Sequence, residues 1–444
     1  MCSRFLYALI LSLSLSVSWA QTWTIDTLPA LPEPVTNQAV SEGFENGVPM
    51  VYSFGGLDST KLFSGIHQRS WRFHTGKQQW EPLPPVPDTL GKIAAAASRI
   101  GDIIYLIGGY HVFADGNERS SNKVHRFNTQ QNRFLSDGAP IPVPIDDQVQ
   151  AVWRDSLIFV ITGWSDRENV PDVQIYDPAN DRWQVGTPVP DNTRFASFGA
   201  SGVIVGDVIY YFGGAAMGAN FPIQNQLRIG NINPADPTQV QWKDTVLSAN
   251  LVGYRMAVTH IGDFIFWLGG SGVTYNYNGI AYNGSGGVEP LKRSLLYHIP
   301  SKGYNEMRGI PLPMDLRGVA RTDQRTHFLI GGMEASQRVS DHLLKLTYNG
   351  SLPLTTTSSS FLPELKFFHD TQHRTIQVVQ GCKELRQSEL IVDLTDVSGK
   401  SISQWKLNPC RKIISLPELS SGMYVITWKM GRASGQYLFR VDQP

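Results

Sequence analysis

A short apolar run that ends in glycine recurs six times along the 444-residue chain. The copies end at Gly56, Gly109, Gly163, Gly214, Gly270 and Gly332, so the intervals are 53, 54, 51, 56 and 62 residues. Each run, such as IIYLIGG at 103–109, is rich in β-branched and aromatic residues and is too short for a helix. It is apolar at consecutive positions, which indicates a strand covered on both faces. The near-constant period predicts a repeat architecture built from β-sheets.

A second regularity follows most of these runs. Aromatic residues stand seven positions apart in four copies, as Phe73 and Trp80, Phe127 and Phe134, Tyr176 and Trp183, and Tyr297 and Tyr304. Turn-rich stretches such as DPANDR separate the members of each pair, which is typical of hairpins. In the fourth copy the segment NPADPTQ lengthens the hairpin before Trp242. A proline-rich stretch and a further strand complete the period, so each copy is predicted to hold four antiparallel strands.

The two ends of the array complement each other. The N-terminal segment from Trp23 to Pro34 matches the last strand of a period but has no glycine-ending strand before it. The sixth copy stops without a last strand of its own. We therefore expect Thr22 to Thr27 to pair with His342 to Thr347, which would close the array into a circle and remove exposed sheet edges.

The glycine pair, the aromatic pair and the period near 50 residues resemble kelch repeats over about Trp23 to Gly350. This resemblance implies an all-β fold, a six-bladed kelch β-propeller closed by the N-terminal strand. The third copy departs from the pattern, because Thr162 stands where the first glycine belongs. Glycine at these positions suits a backbone with φ > 0, or a chain that passes close to the strand end.

Residues 1–20 have the features of an export signal. Arg4 precedes an apolar stretch from Phe5 to Val17, and Ser18-Trp19-Ala20 is a cleavage site of small-residue type. The expected domains are thus a signal peptide at 1–20, the propeller at 21–350, a linker at 351–362 and a small β-sandwich at 363–444. We expect an exported protein without a membrane span, secreted or at the cell surface, with the periplasm as the alternative.

The C-terminal segment carries a second resemblance. DVSGKSI at 396–402 and LPELSSGMYVITW at 416–428 are similar to the sorting domain of the type IX secretion systems of Bacteroidetes. The resemblance implies contact with secretion machinery, and a β-sandwich without a sorting role is the alternative. Cys382 and Cys410 are the cysteines left after signal cleavage. An oxidising compartment favours a disulfide between them, with two unpaired buried thiols as the alternative.

Several functional classes lack support in the composition. The chain has 38 Lys and Arg against 38 Asp and Glu, which argues against nucleic acid or an acidic membrane surface as partner. A copper site like that of galactose oxidase is not expected, because no cysteine lies between Gln21 and Gly381. The ten histidines form no tight ligand set in the sequence, so we expect neither a metal nor a cofactor. Asp146 and Asp147 are predicted to be solvated turn residues in preference to an acid–base pair.

Two classes of function remain open. One is a non-enzymatic propeller that binds a glycan or a protein on one face. The other is a sugar mutarotase, because the chain is similar to the bacterial sialic-acid mutarotases, which are exported kelch propellers. The insertion from Tyr275 to Ile299 is rich in Asn, Tyr and Gly, as sugar-binding loops often are. A solvated loop is the favoured interpretation of that insertion.

Polar residues stand at matching positions near the predicted start of each first strand. They are Gln38, Lys92, Gln148, Arg194, Arg255 and Arg317. Propeller symmetry predicts that they surround the axis on one face, where arginine could bind the carboxylate of an anionic sugar. The alternative is a scaffolding role, in which they bond to loop carbonyls and are neutralised by Asp88, Asp191 and Asp315.

Overall fold

The computed structural model describes residues 23–350, 367–370, 375–378, 390–396, 400–407, 413–420, 422–430 and 433–441. The expected signal peptide, the linker, Cys382 and Cys410 lie outside these residues. The described residues form 34 strands and two short 3-10 helices, Phe63–Gly65 and Ala335–Gln337. The all-β class is therefore confirmed.

Six antiparallel sheets of four or five strands make up most of residues 23–350, and we number them in chain order. The first strand, β1 (Trp23–Leu28), belongs to the last of these sheets. Sheet 1 consists of β2 (Ala39–Glu45), β3 (Val48–Leu57), β4 (Ile66–His74) and β5 (Gln79–Leu83). Sheet 2 consists of β6 (Ile93–Ile100), β7 (Ile103–Val112), β8 (Glu118–Ser120), β9 (Val124–Asn128) and β10 (Arg133–Phe134). Sheet 3 consists of β11 (Val149–Trp153), β12 (Leu157–Ile161), β15 (Val173–Asp177) and β16 (Arg182–Val185), with the hairpin of β13 (Trp164–Ser165) and β14 (Glu168–Asn169) beside it in the chain.

The remaining three sheets repeat this order. Sheet 4 consists of β17 (Ser201–Val205), β18 (Val208–Phe212), β19 (Gln226–Asn233) and β20 (Asp236–Val246). Sheet 5 consists of β21 (Ala257–Ile261), β22 (Phe264–Leu268), β23 (Arg293–His298) and β24 (Gly303–Arg308). Sheet 6 consists of β25 (Ala320–Arg321), β26 (Thr326–Ile330) and β27 (Leu343–Tyr348), with β1 as its fourth strand. Each predicted period thus corresponds to one sheet.

The aromatic pairs are direct neighbours across the outer hairpins. Phe73 lies opposite Trp80, Phe127 opposite Phe134, Tyr176 opposite Trp183, and Tyr297 opposite Tyr304. In the lengthened hairpin of sheet 4, Trp242 lies opposite Gly230. The predicted hairpins are confirmed, because a spacing of seven residues brings the two side chains to one face of the ribbon.

The glycine pairs show both expected features, a positive φ and a close approach of the chain, but they do not end every second strand, since β3 runs to Leu57 and β7 to Val112. Gly108 has a φ of 68°, and a Cβ there would lie 2.3 Å from the carbonyl oxygen of Ile145. In sheet 3 the same position belongs to Thr162, which takes a φ of 45°. The Thr162 hydroxyl donates a hydrogen bond of 2.8 Å to the carbonyl of Val170, so this residue holds the neighbouring loop through its side chain.

The N-terminal strand lies on the outer edge of sheet 6. Strand β1 runs antiparallel to β27, with Trp23 opposite Tyr348 and Leu28 opposite Leu343. The Trp23 ring packs edge-on against Phe266 of sheet 5 at 5.0 Å and against Tyr348 at 5.5 Å. The predicted pairing of the two chain segments is therefore present, and it also joins sheet 6 to its neighbour.

Apolar contacts between successive sheets form the core. The second strand of each sheet is buried, and in β12 the residues 158–161 are each at most 1% exposed. Phe54 of sheet 1 and Phe127 of sheet 2 pack with their ring centres 5.3 Å apart. Continuous apolar runs suit this arrangement, because both faces of the strand are covered.

The C-terminal strands form two further antiparallel sheets. One contains β28 (Phe367–Asp370), β29 (Thr375–Val378) and β32 (Ile413–Ser415). The other contains β30 (Leu390–Asp396), β31 (Ser401–Leu407), β33 (Gly422–Met430) and β34 (Ala433–Val441). Within the described residues these strands pair with one another and with no strand of sheets 1–6. The domain boundary, the sandwich and the sorting role stay predictions.

Candidate functional site

A cycle of backbone hydrogen bonds links the starts of the six sheets. Its members are Asn37, Ala94, Asp147, Gly199, Arg255 and Asp315, whose φ angles lie between 48° and 66°. From Ala94 to Arg255, the N–H of each member donates to the carbonyl of the member before it, at 2.8 to 3.3 Å. Leu316 donates to the carbonyl of Arg255 at 3.0 Å, and Asn37 donates to that of Asp315 at 3.2 Å, which completes the cycle. One residue of each repeat therefore occupies an equivalent position, and all of them except Gly199 carry a side chain there.

Four side chains at and beside this cycle form a buried charged cluster. Arg255 donates to Asp147 twice, from Nη2 to Oδ2 at 2.6 Å and from Nε to Oδ1 at 3.1 Å. Its Nη1 donates to Oδ1 of Asp315 at 3.0 Å. Nη1 of Arg317 lies 3.4 Å from Oδ1 of Asp147. The two guanidinium groups and the two carboxylates thus neutralise one another, and we call these four residues the charged cluster.

Burial and the neighbouring carboxylates shift the pKa values of the two arginines of this cluster in opposite directions. Burial alone would lower the pKa of Arg255, but the Asp147 carboxylate raises that pKa well above its usual value. Burial also lowers the pKa of Arg317, although Asp147 opposes this shift. Removing one partner would leave a buried charge without compensation, so the cluster is held together as a unit.

A cavity of about 120 Å³ opens beside the charged cluster, and we call it the acidic cavity. Its lining combines aromatic rings with a few polar groups. The rings are those of Tyr110, Trp164, Phe198, Phe221 and Tyr282, and the polar groups belong to Glu118, Asp146, Asp147, Arg255 and Asn276. An aromatic lining with a few convergent polar groups is typical of small-molecule sites.

Asp146 is a buried carboxyl group in this lining, with 3% of the residue exposed. Its backbone pairs with Trp164, and Oγ of Ser120 donates to its Oδ2 at 2.6 Å. Within the described residues it forms no ion pair. Burial, together with the neighbouring Asp147 charge, raises the pKa of Asp146 well above its usual value. The expectation that Asp146 and Asp147 are solvated turn residues is therefore wrong.

The insertion in sheet 5 packs across this end of the array. Tyr275 is fully buried and its hydroxyl donates to Asp315 Oδ1 at 3.3 Å. Tyr282 packs on Phe221 with their ring centres 4.8 Å apart. The prediction of a solvated loop is therefore wrong for this part of the insertion, because Asn276 and Tyr282 line the acidic cavity and Tyr275 is buried.

A larger cavity of about 370 Å³ lies among the first strands of the sheets. Arg317 lines it, whereas Arg255 and Asp147 line the acidic cavity, so the charged cluster separates the two spaces. Oε1 of Gln148 and Nε of Arg317 are buried in this region without a hydrogen-bond partner among the described residues. Charged strand residues such as Glu42 and Arg99 also line this larger cavity.

The six aligned residues do not occupy equivalent positions. Arg255 is a member of the cycle, Gln38 and Gln148 follow a member by one residue, and Arg317 follows by two. Lys92 precedes Ala94 by two residues and Arg194 precedes Gly199 by five. The sequence prediction matches the repeats by residue type. The feature that the repeats share in the structure is instead a residue with a left-handed backbone, and it lies one to five positions from every aligned residue except Arg255.

Their contacts are largely those of a scaffold. Nε2 of Gln38 donates to the carbonyl of Ile330 at 2.8 Å, and Nε2 of Gln148 donates to that of Ile107 at 2.9 Å. Lys92 is buried with its Nζ 3.3 Å from Asp88, one of the predicted neutralising residues. Arg194 is exposed, and its Nε donates to Asp244 at 3.0 Å in place of Asp191. A ligand-binding role for these six side chains stays a prediction.

One signal in the sequence could have located the cycle. Asn, Asp and Gly adopt the left-handed conformation more readily than other residues. Asn37, Asp147, Gly199 and Asp315 all belong to these types and stand just before the first strands of sheets 1, 3, 4 and 6. The described residues contain no group of three or more His, Cys, Asp or Glu that could hold a metal ion.

Residues 46–270, just over half of the chain, match the family described as the KLHDC2/KLHL20/DRC7 Kelch-repeats domain. The chain belongs to the Kelch-repeat family. Kelch domains are interaction modules. Within the described residues, no helix has the length and apolar character needed to cross a bilayer.

Individual relatives agree with this assignment. Kelch-like protein 15 of Danio rerio is 21% identical over 320 residues, which cover 70% of this chain and 50% of that protein. Kelch-like protein 35 of Mus musculus is 22% identical over 275 residues, which cover 60% of this chain and 39% of that protein. The chain therefore matches half or less of the length of these relatives. The solved structure of YjhT has a TM-score of 0.58 at 16% identity and covers 73% of this chain and 99% of its own, which supports a Kelch β-propeller fold.

Proposed function

We propose that sheets 1–6 are the six blades of a closed propeller. Two observations support closure. The backbone hydrogen-bond cycle runs through the start of every sheet and returns to Asn37. Strand β1 supplies the fourth strand of sheet 6, so the last sheet is completed by the beginning of the repeat region.

We propose that this propeller binds a glycan, with one sugar unit entering the acidic cavity. The observation that carries the proposal is the division of the lining into aromatic rings and hydrogen-bonding groups. Carboxylates and amides such as Glu118 and Asn276 accept or donate hydrogen bonds with sugar hydroxyls, and bonds to charged groups are the stronger kind. Rings such as Trp164 cover the apolar C–H face of a pyranose.

The size of the cavity limits what can enter. An apolar cavity of about 150 Å³ holds one benzene molecule. The acidic cavity, at about 120 Å³, is therefore matched to one six-membered ring whose remaining substituents reach the mouth. Glu118 is exposed at that mouth. A terminal sugar unit fits this arrangement better than the interior of a chain.

Binding of an anionic sugar, which the sequence suggests, is disfavoured in the acidic cavity. Arg255 is the cation in the lining, and its three bonded contacts already go to Asp147 and Asp315. A ligand carboxylate would have to compete with two buried partners while lying close to Asp146. We therefore favour a ligand without a negative charge.

The test uses the full mature chain against a glycan array, followed by calorimetry with the monosaccharides that the array selects. Trp164→Ala and Phe221→Ala should each reduce the affinity by about tenfold or more, because stacking area in the cavity is lost. Tyr304→Ala is the control, since this exposed tyrosine lies outside the cavity lining. Absence of binding to any sugar would refute the proposal, as would equal loss in the control.

Sugar mutarotation is a second candidate, favoured by Asp146. Opening a cyclic sugar needs an acid at the ring oxygen and a base at the anomeric hydroxyl. The raised pKa of Asp146 suits the acid, and Glu118 in the same lining suits the base. Exchange of anomers, followed by NMR with wild type and Asp146→Asn, distinguishes the two candidates. Binding without accelerated exchange selects the non-enzymatic module.

We also propose that the protein is exported and that residues after Leu362 act as a sorting signal. Support comes from the sequence, namely the signal-like residues 1–20 and the two C-terminal motifs. A chain truncated after Leu362 should cross the inner membrane and accumulate inside the outer one. Full surface display of the truncated chain would contradict the sorting role.

A further inference from the structure

Carboxyl groups outnumber cations in the acidic cavity. Glu118, Asp146 and Asp147 line it, and Arg255 provides the positive charge. Arg255 and Arg317 together balance Asp147 and Asp315, so the excess of carboxyl groups consists of Glu118 and Asp146. Glu118 and Asp146 form no ion pair within the described part of the chain. The lining therefore has an unmet capacity for positive charge.

Asp146 is the buried one of these two carboxyl groups. Its Oδ2 accepts from Ser120, and Ser120 in turn donates its backbone N–H to Asp166 at 2.9 Å, so the carboxyl group is held in place. The carboxyl group lines the cavity although only 3% of the residue is exposed. Burial raises its pKa, and a cation placed in the cavity would reverse that shift by favouring the ionised form.

The aromatic rings add a second attraction for a cation. Trp164, Phe221 and Tyr282 follow one another, with ring centres 5.5 Å and 4.8 Å apart. A cation within about 6 Å of a ring face is attracted by the ring quadrupole, and the attraction is stronger where water is excluded. The same region already shows this contact, since the Arg255 guanidinium lies 5.1 Å from the ring centre of Tyr254.

We propose that the sugar unit bound in the acidic cavity is an amino sugar with a free, protonated amine. The inference rests on the proposed glycan-binding function and names its ligand class. The ammonium group lies against Asp146 and the ring faces, while Glu118 and Asn276 bond to hydroxyl groups. An N-acetylated amine carries no charge, so it gains nothing from these groups.

Calorimetry of the full mature chain tests the proposal with three matched sugars: glucosamine, glucose and N-acetylglucosamine. At pH 7 and low salt, glucosamine should bind about tenfold more tightly than either neutral sugar. The preference should shrink as salt is added.

Three variants locate the effect. In Asp146→Asn, the affinities for glucosamine and glucose should converge, because the buried carboxyl group that attracts the ammonium group is gone. Glu118→Gln provides a second variant at the exposed mouth in case the buried substitution impairs folding, and it should weaken the preference in part. Asp26→Asn is the control, because it removes an exposed carboxylate on β1, outside the cavity lining.

The outcomes separate this inference from the proposed function. Equal affinity for glucosamine and glucose would overturn the amine preference and leave glycan binding intact. No binding by any sugar of the panel would overturn both. Binding of Nα-acetyl-lysine amide but of no sugar would also overturn the proposal, and would identify a protein side chain as the occupant.

Discussion

Arg255 and Asp147 form a two-pronged ion pair across 108 residues of chain, with both side chains at most 2% exposed. They occupy the equivalent positions of sheets 3 and 5, so the pair bridges two members of the hydrogen-bond cycle between which Gly199 of sheet 4 stands. Asp315 of sheet 6 binds the same guanidinium group. The pair therefore ties separate repeats together at the floor of the acidic cavity.

Arg255→Met should destabilise the protein by about 3 to 5 kcal/mol, because two buried carboxylates lose their counter-charge. Urea unfolding monitored by tryptophan fluorescence measures this change. Arg194→Met is the control, since the exposed pair with Asp244 should contribute no more than about 1 kcal/mol. Adding Asp147→Asn to Arg255→Met should recover part of the loss. Equal effects of the two arginine substitutions would contradict the central role of the pair.

Gly269→Ala tests why glycine directly follows β22, the second strand of sheet 5. Gly269 has a φ of 66°, and a Cβ there would lie 2.1 Å from the carbonyl oxygen of Pro313. Gly284 has a similar φ of 75° with no atom within 4 Å of its Cβ position, so Gly284→Ala carries the backbone strain alone. We expect Gly269→Ala to lower the unfolding free energy by about 1 to 3 kcal/mol more than Gly284→Ala. Similar losses in the two variants would mean that backbone strain, and not the close approach of the chain, selects glycine.

The sheets could be predicted from the sequence because their signals are local. An apolar run, a turn and an aromatic pair such as Phe73 and Trp80 fall within one period, and each repeat gives the same signal again. Even the joining of β1 to sheet 6 follows from counting strands at the two ends. These inferences need no knowledge of which distant residues come together.

The site could not be predicted in the same way. Asp147 is buried because Arg255 and Arg317, which belong to other repeats, bind its carboxylate. The pair of adjacent aspartates in the sequence does not reveal these distant partners. Aligning by residue type placed Lys92 and Arg194 beside Arg255, although the backbone positions differ. Tyr282 likewise becomes a cavity wall through contact with Phe221, which belongs to another sheet's loop.

Deleting residues 21–28 should cause aggregation or a large drop in melting temperature. The deletion removes β1, uncovers the edge of β27 and takes away the Trp23 contacts with Phe266 and Tyr348. Thermal scans combined with light scattering detect both effects. Thr27→Ala, at an exposed position of β1, should change the melting temperature little. A soluble deletion variant that melts at the wild-type temperature would contradict closure by the N-terminal strand.

The free energy of unfolding should depend on pH through the buried histidines, and His67 is the clearest case. Burial, reinforced by the charge of Arg69, lowers the pKa of His67 to about 4. An unfolded histidine has a pKa of about 6.5, so between these values the unfolded state binds more protons than the folded state. The unfolding free energy should therefore fall as the pH drops from about 6.5 to about 4, by up to about 3 kcal/mol for this group. Urea midpoints measured from pH 7.5 to 4.5 give the slope.

His67→Leu removes this proton-binding difference and should flatten the slope by up to one proton, while fitting the apolar surroundings formed by Phe54 and Val86. His260 contributes separately, because burial and the charge of Arg321 also lower its pKa to about 4. Some acid sensitivity should therefore remain in His67→Leu. If His67→Leu keeps the wild-type slope, then the acid response must come from other groups and His67 does not contribute to it.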